Sequence, residues 1–587
     1  MMKRIVLMLG VTLLAVPAMA EGNPVPAEKT VVTPTRHDTS PPLRDMLLAA
    51  EQNKAVQTGI YREVENRMVP DFLANAPTIH TEPGSNPAIQ RAAAGGATPA
   101  VDVSVDGYGN VDNSNLVGFQ VAPPDTNGDV GVDFYIQYIN LGWVILNKSD
   151  GSVASGPFAG NTFWNGFGGI CETANAGDPI VLYDHVAGRW LFSQFTGSGT
   201  PAQCFAISTT ADPLGPYHRY EYSFAPDFND YPKIGLWATE SAEGVDNQNA
   251  YLMTTDDFQG TFQHISIVAF DRDSMLTGAP ANMIRFTPTP PSGVFFAATP
   301  AHLEGDILPP AGSCGLFIQQ WDDEIFDAGG TPDGYQFWEL CADFATPGNS
   351  TLSGATFVDA GVEFDSELCG FASCFAQPGT TQLLDTLSQF TMYRAQVRGF
   401  DGGQSFRMVV NHTADVGNNQ GGVHWTQFDV SCLSNNTCVP GTGISVIQSS
   451  TWSPDGDNRG LGSIAQDQAG NIAVGYSVVS GTTSPSLRYA VQLENETGMG
   501  LNAEETCVAG GGSQTGTNRW HDYASMSVDP VDGCTFWMTG EYISSNTAFA
   551  WETRVCSFTI PDCLVTEDIF ADGFESGNTS SWTNTVP

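Results

Sequence analysis

The chain has 587 residues, of which 64 are acidic and 22 basic, a formal charge of −42 at pH 7 with histidines neutral. Nucleic acid is held by Lys and Arg that release counterions, and anionic membranes attract polybasic segments. This balance excludes nucleic acid as a partner and disfavours a membrane surface, while favouring solubility and divalent cations.

Lys3 and Arg4 precede the apolar run "IVLMLGVTLLAV", and Ala18 and Ala20 form an A-x-A site. Residues 1–20 therefore read as a secretory signal peptide cut after Ala20. The run is too short to span a bilayer, and no later stretch reaches the roughly 20 apolar residues a spanning helix needs. The chain is expected in the periplasm or outside the cell, with no membrane insertion.

Residues 21–100 are rich in Pro, Thr and Ala and read as a low-order N-terminal segment or linker. One helix is predicted in "SPPLRDMLLAAEQ", with Ser40 as its cap and Leu43, Met46, Leu47 and Ala50 at helical spacing. "RAAAGGATPA" closes the segment as a flexible joint.

From 101 to 563 the texture changes. Short runs such as "YIQYIN", "WVILN", "PIVLYD", "RWLFSQF", "ISIVAF", "YQFWEL" and "NIAVGYSVV" are rich in β-branched and aromatic residues and bounded by Gly, Asp, Asn or Pro. They predict antiparallel strands, and helical periodicity is almost absent. So many strands exceed a single sandwich, and radial repetition is the economical way to manage their edges. The expected fold is all-β: a β-propeller of six or seven blades with insertions, two stacked sandwiches being the alternative. Hairpin units recur at "DPIVLYDHVAGRWLFSQF", where Asp184 and Gly188 bound the turn, at "SIAQDQAGNIAVGYS" and at "MSVDPVDGCTFWMTGEY". Residues 564–587 read as a separate polar tail.

The 12 cysteines are an even count, and export permits disulfides. Pairing between sequence neighbours is expected: Cys171 with Cys204, Cys314 with Cys341, Cys369 with Cys374, Cys432 with Cys438, Cys507 with Cys534, and Cys556 with Cys563. No C-x-x-C occurs, so zinc ribbons and thioredoxin-type redox pairs lack support.

In "PPDTNGDVGVD", Asp125, Asn127, Asp129 and Asp133 stand at the first, third, fifth and ninth positions of a calcium-type loop. Alternate carboxylates on a tight loop converge on one Ca²⁺. Val130 and Ile136 replace the glycine and glutamate of an EF-hand, so the expectation is a strand-flanked loop, with a plain Asp/Asn turn as the alternative. No other cofactor is indicated. "SPDGDNRG", around Asp455 and Asp457, reads as a turn. "GLGSIA" lacks the strand–helix unit of a dinucleotide site. Neither G-x-S-x-G, H-E-x-x-H nor a P-loop lysine occurs.

"RWHDYASMSVDPVDGCTFWMTGEY" concentrates Arg519, Asp522 and Glu541. Two carboxylates and a bidentate arginine are the equipment of a glycosidase acting on an anionic sugar. Yet "DPVDG" reads as a turn and "TFWMTGEY" as a strand. As part of a blade, the stretch should bury Trp537 or Phe536 between sheets, bond Cys534 to Cys507 and pair Arg519 with Asp522. As a catalytic site, it should present the three charged groups unpaired in one open pocket.

The strings "APPDTNGDVG", "DPIVLYDHVAGRW", "AISTTADPLGPYHRY", "DYPKIGLW", "GNIAVGYS", "PSLRY" and "RWHDYASMSVDPVDGCTFW" resemble those of a family of large secreted bacterial proteins with propeller-like folds. The resemblance spans Ala122 to Trp537; it implies export and a propeller, and it transfers no catalytic residue. More distantly, Ser527, Asp529, Gly533 and Thr535 resemble the Asp-box of sialidase-type propellers, with extra residues between Asp529 and Gly533; that box is itself a structural turn. "IFADGFESGNTSSW" resembles a terminus common on exported proteins. The leading functional expectation is a monomeric binding or scaffolding propeller that meets a glycan or surface protein outside the cell. A polysaccharide-directed hydrolase or lyase at the central mouth is the alternative.

Overall fold

The computed structural model describes residues 27–50, 61–63, 88–242, 248–288, 296–326, 332–438, 443–496, 498, 500–549 and 551–564. The expected signal peptide and the tail beyond Leu564 lie outside these residues.

The hairpins form where the sequence places turn chemistry between β-branched runs. At the Asp184–Arg189 turn, Asp184 Oδ1 accepts the Ala187 N–H at 2.9 Å, and Gly188 takes φ +64°, which glycine adopts without steric cost. Such hairpins build antiparallel sheets, each beginning with an innermost strand: β1 (Asn127–Val130), β2 (Gly177–Asp184), β3 (Phe228–Trp237), β4 (Thr299–Glu304), β5 (Ala395–Phe400), β6 (Asn458–Gln466) and β7 (Ser525–Val528). The sheets of β4 and β5 join through a parallel pairing, Ala301 opposite Ala395 to Glu304 opposite Arg398.

β1 lies against β2, β2 against β3, β3 against β4, β4 against β5, β5 against β6, β6 against β7, and β7 against β1. This closed cycle makes the fold a β-propeller.

N-terminal strands extend this ring. Ala27–Val32 pairs with Met283–Pro288 at the outer edge of the β3 sheet, and Arg36–Thr39 pairs with Tyr217–Ser223 at the edge of the β2 sheet. Val103–Asp106 is the outermost strand of the last sheet, paired with Trp551–Thr559. The predicted helix forms over Leu43–Ala50, with Leu43 and Met46 packed among Trp143 and Trp164. Ser40 is not its cap: its hydroxyl accepts the Tyr217 N–H at 3.0 Å, and the Leu43 N–H is met by Gly215 O at 2.9 Å.

Four cysteine pairs follow sequence neighbours, Cys171–Cys204, Cys314–Cys341, Cys369–Cys374 and Cys432–Cys438. The last two differ from expectation: Cys507 bonds Cys556, and Cys534 bonds Cys563. Strand register explains the exchange. Thr535 pairs with Thr559, which puts Cys534 beside the turn just past that strand. Cys507, in Glu505–Val508, reaches from its own sheet to Cys556 on the next. Non-reducing peptide mapping should recover the Cys507–Cys556 and Cys534–Cys563 links; a Cys507–Cys534 peptide would contradict this register.

Trp537 is 2% exposed and stacks on Tyr135 of the neighbouring sheet, with ring centroids 5.3 Å apart. Trp537→Ala should lower unfolding free energy by about 3–5 kcal/mol in denaturant titrations.

Candidate functional site

Apart from β4 and β5, which pair with each other, each innermost strand leaves one edge outside any ladder, so its backbone groups need side-chain partners. Polar residues on neighbouring strands supply them. Asn127 Oδ1 accepts the Val181 N–H and Asp129 Oδ2 the Tyr183 N–H, both at 2.8 Å. Ser463 Oγ accepts the Met526 N–H at 2.9 Å, and Gln396 Oε1 accepts the Gln466 N–H at 2.6 Å.

This geometry corrects the calcium expectation. Asn127 and Asp129 lie on β1, not on a tight loop, and successive same-face residues of a strand stand about 6.6 Å apart. Asp129 also pairs with Arg394 at 2.8 Å, while Asp133 is exposed in the following turn. Asp125, Asn127, Asp129 and Asp133 do not converge on one point.

Near the starting ends of the innermost strands the chain repeatedly enters positive φ without glycine: Asp125 (+49°), Asp178 (+45°), Tyr231 (+53°), Ala297 (+52°), Leu461 (+56°) and His521 (+52°). Such conformations persist only where surroundings over-determine them. Here polar side chains hold several of the amides. Asn140 Oδ1 accepts Asp178 N–H at 3.0 Å, Asp256 Oδ1 accepts Ala297 N–H at 2.8 Å, and Glu541 Oε2 accepts His521 N–H at 3.0 Å.

The same turns, together with Glu541 of the strand Thr535–Ile543, deliver a buried acidic cluster to the axis. Asp125, Asp178, Asp230, Asp522 and Glu541 are each less than 8% exposed. Tyr523 Oη donates to Asp178 Oδ2 at 3.1 Å, Tyr231 Oη donates to the Asp522 carbonyl at 2.7 Å, and the two tyrosine rings are 4.9 Å apart. One oxygen each of Asp125, Asp230, Asp522 and Glu541 meets no hydrogen-bond donor.

Arg519 is ion-paired with Asp522 and lies 3.7 Å from Asp385. The structure thus gathers Arg519, Asp522 and Glu541 at one end of the axis, buried and bonded to protein. Over that end runs the long connection between Thr356–Asp359 and β5. Its Leu368, Phe375, Leu384, Leu387, Phe390 and Met392 share one core with Tyr231, Trp520 and Tyr523. Phe390 packs 4.8 Å from the Tyr231 ring, and Lys233 Nζ donates to Thr391 O at 2.9 Å.

The opposite ends of the strands surround an open cleft of about 450 Å³, whose lining includes His185, Glu304, Asp306, Arg398, Phe400, Asp401, Arg407, Glu494 and Asp529. Arg398 is 4% exposed, and its Nε has no hydrogen-bond partner. Burial presses against its charge, and Glu304, Asp467 and Asp306 support it. Arg407 pairs with Glu494 at 2.8 Å and lies over the Phe400 ring at 4.8 Å.

Sequence reading missed this mouth and the partners Asp178, Asp230, Tyr231 and Tyr523 at the sealed end. The one usable signal is the repeated Asp–Tyr pair at 230–231 and 522–523.

No family model matches the chain, and no curated protein matches it in sequence. Among solved structures it is similar to Drosophila Semaphorin 1b, extracellular domains 1-2 (8% identity, 79% of this chain and 87% of that chain, TM-score 0.35). It is also similar to an α-L-arabinofuranosidase from Fusarium graminearum (11%, 65% and 91%, TM-score 0.34) and an endo-arabinase from Bacteroides thetaiotaomicron (13%, 54% and 93%, TM-score 0.25).

Burial and neighbouring carboxylates raise the acids of the sealed end: burial, then the Asp522 charge, pushes Asp125 to about 7, and burial, then Asp256, pushes Asp230 to about 8. Asp178 and Glu541 rise well above the usual range, burial being the main cause. An unfolded aspartate titrates near about 3.9, so between about pH 4 and pH 8 the native state binds more protons and stability falls as pH rises. Burial lowers Lys233 to about 7, which adds an opposing rise from there towards its unfolded value of about 10.4. Melting temperature should therefore fall from about pH 5 to about pH 7, and Asp230→Asn should flatten that slope in thermal melts across the range.

Proposed function

We propose that the protein is a secreted binding propeller that takes a hydroxyl-rich glycan into the open axial mouth at the ends of the innermost strands. The observation that carries this reading is the lining of the cleft, where Arg398 and Arg407 stand among Glu304, Asp306, Asp401, Glu494 and Phe400. The arginine guanidiniums offer donors and the carboxylates acceptors to a ligand's hydroxyls, and hydrogen bonds to charged groups are the stronger ones. Carboxylates outnumber arginines along the lining, so acceptors for sugar hydroxyls are abundant and an anionic ligand is disfavoured. Phe400 adds a ring to the same wall. Binding sites combine such a surface with a few convergent polar groups. Export agrees with the six disulfides, which belong to oxidising compartments; among the described residues no helix is long and apolar enough to cross a membrane.

The hydrolytic alternative drew on Arg519, Asp522 and Glu541. These lie beneath the connection that covers the other end, with Arg519 and Asp522 neutralising one another, so the open mouth is the better-supported place for a ligand.

Purified protein on a panel of neutral oligosaccharides should retain ligand without creating new reducing ends. Arg398→Gln should weaken retention about ten- to a hundredfold, the range for a hydrogen bond to a charged group. Asp401→Asn, on the exposed rim, should weaken it less. Release of reducing ends would favour a hydrolase, and retention unchanged in Arg398→Gln would overturn the mouth as the binding place.

A further inference from the structure

A second acidic cluster lies away from the axis, at the end of the hairpin formed by Gly315–Trp321 and Gly334–Cys341. Trp321 pairs with Gly334, so Asp322 and Asp333 leave the two strands side by side. The short helix Asp323–Phe326 begins between them in the chain. Carboxylate oxygens of Asp322, Asp323, Glu324 and Asp333 all lie within 4.8 Å of one another. Asp322 is 1%, Asp323 6% and Asp333 0% exposed.

Two features separate this cluster from an ordinary acidic patch. Among the described residues, no Lys, Arg or His forms an ion pair with any of the four. Asp323 Oδ1 is buried and has no hydrogen-bond donor, although its carboxylate belongs to the group. The contrast is Asp227, Asp257 and His264, which also cluster. There Arg285 Nη2 reaches Asp227 at 2.6 Å and Asp257 at 2.8 Å, so the charge is already answered by protein.

We propose that Asp322, Asp323, Glu324 and Asp333 form a Ca²⁺ site. Oxygens bound to one Ca²⁺ at about 2.3–2.6 Å can stand up to about 5 Å apart, which suits this grouping. An all-carboxylate set with no His or Cys selects a hard cation. Mg²⁺ keeps several waters and is not commonly held by an all-protein cage. The rest of each carboxylate is already oriented. Asp322 Oδ2 accepts the Ser366 N–H at 2.7 Å and the Ser366 hydroxyl at 2.8 Å, and Asp333 Oδ1 accepts the Asp323 N–H at 3.0 Å. Asp333 Oδ2 accepts the Phe364 N–H.

Phe364 and Ser366 begin the connection that covers the acidic end of the axis. A cation here fixes the root of that cover, and its role is independent of the glycan reading.

The test uses the full chain, stripped with EGTA and returned to buffer, with Ca²⁺ alone as the ligand and Tb³⁺ as a luminescent probe. Trp321, 2% exposed and adjacent to Asp322, is placed to sensitise Tb³⁺. Millimolar Ca²⁺ should raise the melting temperature by several degrees, since a ligand bound only to the native state stabilises it. Excitation of tryptophan should give Tb³⁺ emission that Ca²⁺ displaces. Asp323→Asn and Asp333→Asn should each weaken both responses at least tenfold, whereas Asp125→Asn should leave them unchanged. Asp323→Asn removes one buried charge and leaves the Asp323 N–H bond to Asp333 in place, so it keeps the test sound if Asp333→Asn fails to fold. Absence of both responses in the unmodified chain, or their persistence in the Asp323→Asn chain, would overturn the site.

Discussion

The constraint on which this structure depends is the inner edge of each sheet. In a propeller the outer strands can gain partners, and here Ala27–Val32, Arg36–Thr39 and Val103–Asp106 cover outer edges. The innermost strands have neighbours but only limited backbone pairing with them, so their N–H groups depend on side chains. Buried amides without partners cost about 1–3 kcal/mol each. Asn127, Asp129, Gln396, Ser463 and Asn140 answer that cost. The axis is therefore polar for structural reasons before any ligand is considered.

That polarity has different consequences at the two ends. At the starting end, positive-φ turns bring Asp125, Asp178, Asp230 and Asp522 together under the 360–394 connection. Burial first, and neighbouring carboxylates second, raise the proton affinity of Asp125, Asp178 and Asp230 there. At the other end the strands border an open cleft lined by Arg398, Arg407 and several carboxylates. A cleft lined by charged groups of both signs stays open to solvent, while a buried acid beneath an apolar cover invites a proton. The same ring thus makes one end a structural core and leaves the other an open cleft.

Much of the strand pattern was legible because period-two alternation and Gly/Asp turns act locally. "DPIVLYDHVAGRW" folds as the hairpin its Asp184 and Gly188 specify. The helix at Leu43–Ala50 was legible from its apolar spacing, although Ser40 serves Tyr217 instead of the helix end. The calcium string misled because Asp125, Asn127 and Asp129 have the spacing of loop ligands and also the spacing of one face of a strand. Only the ring, through the Val181 and Tyr183 amides, decides between them. The cysteine exchange has the same origin: nearest-neighbour pairing treats the chain as a line, whereas Thr535 opposite Thr559 brings Cys534 to Cys563. The axial acids could not be found by spacing at all, since residues 125, 178, 230 and 522 meet only through closure of the cycle.

A chain with 64 acidic and 22 basic residues cannot give every buried carboxylate an arginine. It places the few it has where two sheets or a sheet and a turn must be joined: Arg272 on Asp184, Arg394 on Asp129, Arg459 on Asp455 and Glu504, Arg519 on Asp522. Removing one partner of such a pair leaves an uncompensated charge, a strongly destabilising change of about 3–5 kcal/mol. The remaining buried acids need other neutralisation, and the surroundings decide which. Beneath the axial cover, tyrosine hydroxyls and backbone N–H groups surround carboxyls that are not gathered into one coordination sphere, and protonation is the available answer. At the Trp321–Gly334 hairpin end, four carboxylates share one small volume, and one oxygen lacks any donor. A single divalent cation neutralises the group and supplies the missing contact at once.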